Sequence, residues 1–183
     1  AVTGVQTCAL PISTRLDYDA DGNGRIEARV YLVGGSGRRV EADGDGNGRI
    51  DRWEYYEPTG HLERIGLSAA NDGREDTWVV TAGPDMRVEI ATRRDGVVDR
   101  WEFHEAGALV RTEEDRDRDG RVDHWQRFEN GRLRELLADV SGQGRPTQRI
   151  VYATDGSVER IEDDNHGDNE ATRGEIQIGR AHV

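Results

Sequence analysis

Short runs in which hydrophobic and charged residues alternate make up most of this chain. Clear examples are 50–56, 98–104 and 122–128, each with a tryptophan at its centre. Alternation with a period of two places aromatic and β-branched side chains on one face of an extended strand. A turn signal and a second short run, such as 133–136, follow each of them. The pattern therefore predicts β-hairpins and almost no helix.

The hairpin unit recurs about every 24 residues, as four tryptophans show with spacings of 25, 23 and 24. These are Trp53, Trp78, Trp101 and Trp125. Repeats of this kind bury their apolar surface on their neighbours. We predict an all-β fold: an antiparallel hairpin meander of about seven repeats, with an acidic loop after each hairpin. An alternative joins pairs of repeats into four-stranded propeller blades, since about 48 residues suffice for a blade.

Glycine-containing turns are predicted between the two strands of each hairpin. We expect four of them, at 58–60, 106–107, 130–131 and 154–156. Each ends on a glycine, the residue that most readily takes a left-handed backbone conformation. Asn130-Gly131 is a preferred dipeptide of two-residue type I′ turns. Such a turn would place Phe128 opposite Leu133.

The other half of the unit is an acidic loop, and residues 43–54 give its best example. Their pattern, D-x-D-x-N-G-x-I-D-x-x-E, has the spacing of a calcium-binding loop of the EF-hand type. Ca²⁺ takes about six to eight oxygen ligands, and a tight turn at Gly48 can direct several of them from one short segment. The predicted ligands are Asp43, Asp45, Asn47, the carbonyl of Arg49, Asp51 and Glu54.

Two further loops keep most of these positions, with Val30 and Gln126 at the twelfth. Their predicted Ca²⁺ ligands are Asp19, Asp21, Asn23, the carbonyl of Arg25, Glu27, Asp115, Asp117, Asp119, the carbonyl of Arg121, Asp123 and Gln126. The loops at 68–76, 91–99 and 139–147 keep fewer acidic positions, and 163–168 is acidic but out of register. A single run of this kind is also an ordinary polar turn.

These motifs resemble two groups of repeat proteins. The loops at 19–24, 43–48 and 115–120 resemble those of bacterial calcium-binding repeat proteins, of dockerin-like, thrombospondin type 3-like and integrin-type propeller kinds. The hairpins, with Gly60, Gly107 and Gly131 after an aromatic strand, resemble MORN-like and YD-type surface and toxin repeats. Strands rather than helices flank the loops, so sensor-type helix opening is not expected. The resemblance implies a calcium-dependent, exported repeat protein.

The two ends of the chain do not follow the repeat. Residues 2–12 and 178–183 resemble translations of a common sequencing adapter, and Cys8, the only cysteine, lies in the first of them. Segments of this kind are excluded from fold reasoning. We therefore interpret 1–12, and most of 175–183, as artefact and 13–174 as a single repeat array.

Charge and motif content narrow the function. The net charge is −12, with 34% charged and 34% hydrophobic residues, which opposes binding to nucleic acid or to an anionic membrane surface. The sequence lacks a nucleophile motif, a His-rich metal motif and a phosphate-binding glycine loop before a helix, so we do not predict an enzyme.

We predict a calcium-stabilised structural or adhesive segment of a larger exported bacterial protein. It would be extracellular, at the cell surface or periplasmic, and would meet a protein or glycan ligand without inserting into a membrane. The alternative is a metal-independent hairpin scaffold, or a calcium-loop propeller, for protein or carbohydrate interaction.

Overall fold

Thirteen β-strands form an antiparallel meander in the computed structural model, which describes residues 14–34, 36–82 and 84–164. The strands are β1 Arg15–Tyr18, β2 Ala28–Val33, β3 Ser36–Ala42, β4 Arg52–Tyr56, β5 Leu62–Leu67, β6 Thr77–Ala82, β7 Asp85–Ile90, β8 Arg100–Glu105, β9 Ala108–Glu114, β10 His124–Glu129, β11 Arg132–Ala138, β12 Gln148–Tyr152 and β13 Val158–Asp163. They follow one another in chain order in one sheet. The predicted all-β meander is confirmed, and separate four-stranded propeller blades are ruled out.

The described ranges contain no helix, and thus none with the length and apolar character to cross a membrane. The adapter-like segments, 2–12 and 178–183, lie outside the described residues. So do most of the predicted acidic loop at 163–168 and the end of the predicted array beyond 164.

The chain divides into two compact units, Ala1–Trp78 and Val79–Val183. In both, each acidic loop joins an odd-numbered strand to the next even-numbered one, and each hairpin turn joins an even-numbered strand to an odd-numbered one. Successive connections of an antiparallel meander lie at opposite ends of the strands. Within each unit, therefore, the acidic loops share one end of the strands and the hairpin turns share the other.

All four predicted hairpin turns form at the predicted residues. Asn130 and Gly131 both have positive φ, 52° and 73°, as a type I′ turn requires. Phe128 pairs with Leu133, as predicted. At the equivalent turn, Ala106 has φ 48°, a conformation in which a Cβ atom is strained.

A β-bulge that the sequence analysis did not predict recurs in the hairpins. In β10–β11, Arg127 pairs with Glu135 and Phe128 with Leu133, so Arg134 is an extra residue. The corresponding extra residues in other hairpins are Arg38, Glu63, Val110 and Glu159. A bulge bends its strand and increases the local twist. In each of these hairpins the second strand is accordingly one residue longer than the first.

The buried residues lie mainly at the bases of the acidic loops. Among the described residues, only Trp53, Ala91 and Ala138 are buried apolar residues. Most of the buried polar residues stand at the first or the ninth loop position: Asp43, Ser68, Asp76, Asp99, Asp115 and Thr147. Of the four tryptophans only Trp53 is thus fully buried, while the other three are half-buried.

Cross-strand rows of arginine and aromatic residues cover one face of the first unit. Tyr31, Arg39, Tyr55 and Arg64 are successive partners across β2 to β5. The Arg39 guanidinium lies 5.8 Å from the ring centroid of Tyr31 and 5.6 Å from that of Tyr55, and the Arg64 guanidinium 4.6 Å from that of Tyr55. Such cation–π contacts contribute about 0.5–1 kcal/mol at exposed sites. The sheet therefore relies on many modest side-chain pairs.

Glu75 covers the buried Gly66 on this face. Its carboxylate accepts hydrogen bonds from the Tyr55 hydroxyl and from Trp78 Nε1, the latter at 2.7 Å. Burial, together with the hydrogen bond to Glu75, raises the pKa of Tyr55 to about 12. A Cβ atom on Gly66 would lie 2.5 Å from Glu75 Oε2, so the carboxylate needs the space that this glycine leaves.

We predict that Gly66→Ala lowers the free energy of unfolding by about 1–2 kcal/mol, because Glu75 must move away from Tyr55 and Trp78. Chemical denaturation measures the change. The double variant Gly66→Ala/Glu75→Ala should lose little more than Glu75→Ala alone. Fully additive losses would contradict the contact.

We predict that Ala106→Asn raises the free energy of unfolding by about 0.5–1 kcal/mol, since asparagine tolerates the left-handed conformation of a type I′ turn better than alanine. Asn130→Ala, at the equivalent turn, should cost a similar amount. Chemical denaturation of both variants tests the pair, and changes of the same sign would contradict the turn assignment.

Candidate metal centres

The carboxylate at the first position organises the loops that begin at 19, 43, 115 and 139. Asp43 accepts hydrogen bonds from the backbone N–H groups of Gly46 (2.9 Å), Asn47 (3.2 Å) and Gly48 (2.7 Å). Backbone N–H groups of their own loops bind the other first-position carboxylates in the same way: Asp19, Asp115 and Asp139. Aspartate favours turns for this reason, because its short side chain reaches nearby backbone donors.

The side chain at the ninth position closes the loop onto the second position. Asp51 Oδ2 accepts the N–H of Gly44 at 3.0 Å, and Thr147 Oγ1 accepts that of Val140 at 3.0 Å. The corresponding acceptors in the other loops are Glu27, Asp76, Asp99 and Asp123. Since a neutral threonine makes the same bond, closure requires an oxygen atom but not a negative charge.

Backbone hydrogen bonds join the end of each loop to the start of the next within a unit. The Asp43 N–H donates to the Glu27 carbonyl at 2.8 Å, and the Asp164 N–H donates to the Thr147 carbonyl at 2.8 Å. The second bond places Asp164 at the first position of the seventh loop. The acidic run predicted at 163–168 starts one residue earlier. The difference arises because the turn between β12 and β13, at 153–157, is longer than the two-residue turns at 106–107 and 130–131.

Two positions of every described acidic loop from 19 to 147 have positive φ. Glycine holds the sixth position throughout, in agreement with the predicted turn at Gly48, whose φ is 89°. The fourth position was not predicted to be special, and in three loops it is a larger residue: Asn71, Arg94 and Arg118. The other loops have glycine at the fourth position, as at Gly46, and this glycine is the feature of the sequence that indicates a left-handed backbone conformation there.

Three loops gather carboxylates closely enough to hold a metal ion. In each, one oxygen from each of three residues lies within 4.8 Å of the other two. The groups are Asp19, Asp21 and Glu27; Asp43, Asp45 and Asp51; and Asp115, Asp117 and Asp119. All nine residues were predicted ligands. Asp123 is not in the third group, and its carboxylate bonds instead to His124 Nδ1 at 2.8 Å and to backbone N–H groups of its loop.

The residues predicted at the twelfth position lie on strands, outside these clusters. The Glu54 carboxylate accepts hydrogen bonds from Arg52 Nε (2.9 Å) and from the Tyr56 hydroxyl. The bond from Tyr56 holds the pKa of Glu54 below its ordinary value in spite of burial. Gln126 Oε1 accepts the Thr112 hydroxyl at 2.9 Å. An extended strand rises about 3.3 Å per residue, so it carries the twelfth position about 10 Å beyond the ninth.

The asparagines at the fifth position support the loops as well as offering oxygen. Asn47 Oδ1 accepts the Arg49 N–H at 2.8 Å, and its amide donates to Asp45 at 3.0 Å. Asn23 makes the same pair of bonds with Arg25 and Asp21. Three arginines were predicted to offer carbonyl ligands, and all three are exposed: Arg25, Arg49 and Arg121. A carboxylate has about four acceptor sites, so the acids keep capacity for a cation beside their backbone bonds.

Comparisons with known proteins leave the family open. No protein family matches the chain, and no curated protein matches it. Two solved structures of TarM show a distant likeness, one of them a mutant from S. aureus in complex with Fondaparinux, alpha-GlcNAc-glycerol and UDP. Each has 9% identity and a TM-score of 0.29, over 69% of this chain. The chain spans 20% of the length of those structures. A likeness of this size carries no argument about fold, enzymatic activity or ligand.

We predict that Asp43→Ala, in metal-free buffer, lowers the free energy of unfolding by roughly 1–2 kcal/mol, because three backbone N–H groups lose a charged acceptor. Asp117→Ala is the matched control, since the exposed Asp117 accepts one backbone N–H, that of Asp119. Chemical denaturation in EDTA measures both. Equal losses would contradict the organising role of the first position.

Proposed function

We propose that this chain is a calcium-stabilised β-hairpin repeat segment, with a structural or adhesive role in a larger exported bacterial protein. One observation carries the proposal: carboxylate clusters recur at the same phase of the repeat in three loops. Each cluster includes an acid at the third position, Asp21, Asp45 or Asp117, which the closure of the loop does not use. Protein or glycan ligands at the surface remain the predicted partners.

The donor set of these loops favours a hard cation. Each cluster offers three carboxylates, and the side-chain oxygens of Asn23 and Asn47 lie in two of the same loops. Ca²⁺ and Mg²⁺ both take oxygen ligands, but Ca²⁺ accepts the flexible geometry of such a loop, whereas Mg²⁺ requires a small octahedral cage. In the loop at 43–51, the backbone N–H of Asn47 lowers the pKa of Asp45 despite some desolvation, so this acid is ionised at neutral pH.

Weak affinity is expected because the clusters lack the bidentate carboxylate of an EF-hand, with Glu54 on β4. Sites of this quality fall in the range of extracellular calcium modules, about 10⁻⁴–10⁻³ M. The cytosol would leave them empty. This argument supports export, together with an extracellular, cell-surface or periplasmic location.

A metal-independent scaffold is the second candidate, and the loop hydrogen bonds favour it. Each described loop closes through its ninth-position oxygen, and the loop at 139–147 does so with Thr147 and a single carboxylate, Asp139. A loop of this kind folds without an ion. The two candidates therefore differ in whether the clusters add stability when Ca²⁺ is supplied.

We predict that Ca²⁺ raises the melting temperature of the full chain, and that Mg²⁺ does so much less. A site half-saturated at about 1 mM contributes about 1 kcal/mol at a few-fold excess of Ca²⁺. Circular dichroism melts in EDTA, Ca²⁺ and Mg²⁺ measure the effect. Ionic strength is matched with NaCl, because salt also screens the acidic chain.

The matched variants are Asp51→Asn and Asp155→Asn, each of which removes one negative charge. An asparagine at position 51 keeps an oxygen for the Gly44 N–H but removes a carboxylate from the cluster. Asp155 lies in a hairpin turn, where it accepts hydrogen bonds from Ser157. Asp51→Asn should reduce the Ca²⁺-dependent shift, and Asp155→Asn should leave it unchanged. An unchanged wild-type melt at about ten-fold excess over 1 mM would reject the calcium proposal in favour of the scaffold.

A further inference from the structure

The loop at 91–99 lacks the carboxylates that the three clusters share. Ala91 stands at its first position and Arg93 at its third, which leaves Asp95 and Asp99. Ala91 and Asp99 are both buried, with 1% and 4% of their surfaces exposed. A buried carboxylate needs a compensating charge or hydrogen bonds. Asp99 accepts hydrogen bonds from the backbone N–H and the hydroxyl of Thr92, both at 2.8 Å.

Arg118, from the neighbouring loop at 115–123, supplies the positive charge. Its Nη1 lies 2.5 Å from Asp95 Oδ2 and its Nη2 3.1 Å from Asp95 Oδ1, a bidentate pair. Nη2 and Nε also donate to Asp99 Oδ2, at 3.0 Å and 3.3 Å. The side chain of Arg118 is 22% exposed. One guanidinium thus binds both carboxylates of the loop, with a geometry that arginine provides and lysine does not.

We propose that Arg118 is the built-in cation of the loop at 91–99, where its guanidinium takes the place that a metal ion would have in an acidic loop. It also joins this loop to the next repeat of the same unit. The loop is consequently independent of metal ions, whether or not the three carboxylate clusters bind Ca²⁺.

The backbone of Arg118 indicates that this contact offsets a conformational cost. Its φ is 66° at the fourth loop position, where Gly22, Gly46 and Gly142 stand in other loops. A non-glycine residue is disfavoured in this left-handed region. The two carboxylate contacts compensate for the strain. The hydrogen bond from Arg118 holds the pKa of Asp95 at about 2.

The backbone strain gives a test in which the two interpretations predict opposite signs. Arg118→Gly removes both the strain and the guanidinium. Melts of the full chain in EDTA should show a midpoint about 2–4 °C lower if the guanidinium is the cation of the loop. The midpoint should rise if Arg118 is only a strained surface residue. EDTA keeps the outcome independent of the calcium proposal.

Two controls separate backbone from charge. Ala106→Gly relieves the same kind of positive φ without removing a charge, and its midpoint should not fall. Arg116→Gln removes a cation from the same loop, where it pairs with Glu114 on an exposed surface, and should change the midpoint little. Arg118→Lys should recover only part of the loss. The double variant Arg118→Gly/Asp95→Asn should lower the midpoint by less than the sum of the two single decreases. Fully additive decreases would overturn the proposal, and so would a raised midpoint for Arg118→Gly.

Discussion

Loop closure by a side-chain oxygen is the interaction on which the rest of the described structure depends. A sheet with so few buried apolar residues cannot rely on a large hydrophobic core. Most of the buried polar residues lie instead at the loop bases, where Asp99 and Thr147 accept the N–H of the second loop position. Buried polar groups are stable only when their hydrogen bonds are made. The closed loops therefore align the strands that enter and leave them.

This constraint explains why the loops tolerate such different sequences. The ninth position needs an acceptor, and glutamate, aspartate and threonine all occur there, as at Glu27, Asp51 and Thr147. The fourth and sixth positions need a left-handed conformation. Carboxylates at the third and fifth positions are not needed for closure, so the loops that keep them have a donor set beyond what folding requires. That surplus is the physical basis for proposing a cation at three loops.

The loops also show two ways to balance acidic side chains. Where carboxylates gather, as around Asp43, Asp45 and Asp51, like charges repel, and a cation would relieve the repulsion. In the loop at 91–99 the guanidinium of Arg118 serves instead. Repeats with the same strand pattern can thus differ in whether they need an external ion. Such local differences are tolerated because each repeat of an array contacts only its neighbours.

The sequence by itself determined the strands, the four hairpin turns and the pairing of Phe128 with Leu133. These depend on local alternation and turn chemistry, which a period of two and an Asn-Gly dipeptide express directly. It also named the nine carboxylates that cluster, because short-range loop geometry brings them together. Whether those clusters bind calcium stays a prediction.

Tertiary structure decided what depends on the path of the chain beyond one loop. The strand direction carries Glu54 and Gln126 away from the clusters, although their spacing matches an EF-hand, because that spacing works only when the chain turns back as a helix. The bulges follow from strand register, and the start of the seventh loop at Asp164 follows from the longer turn at 153–157. The bond of Arg118 to Asp95 joins residues 23 positions apart, and no local pattern indicates which neighbouring loop an arginine will reach.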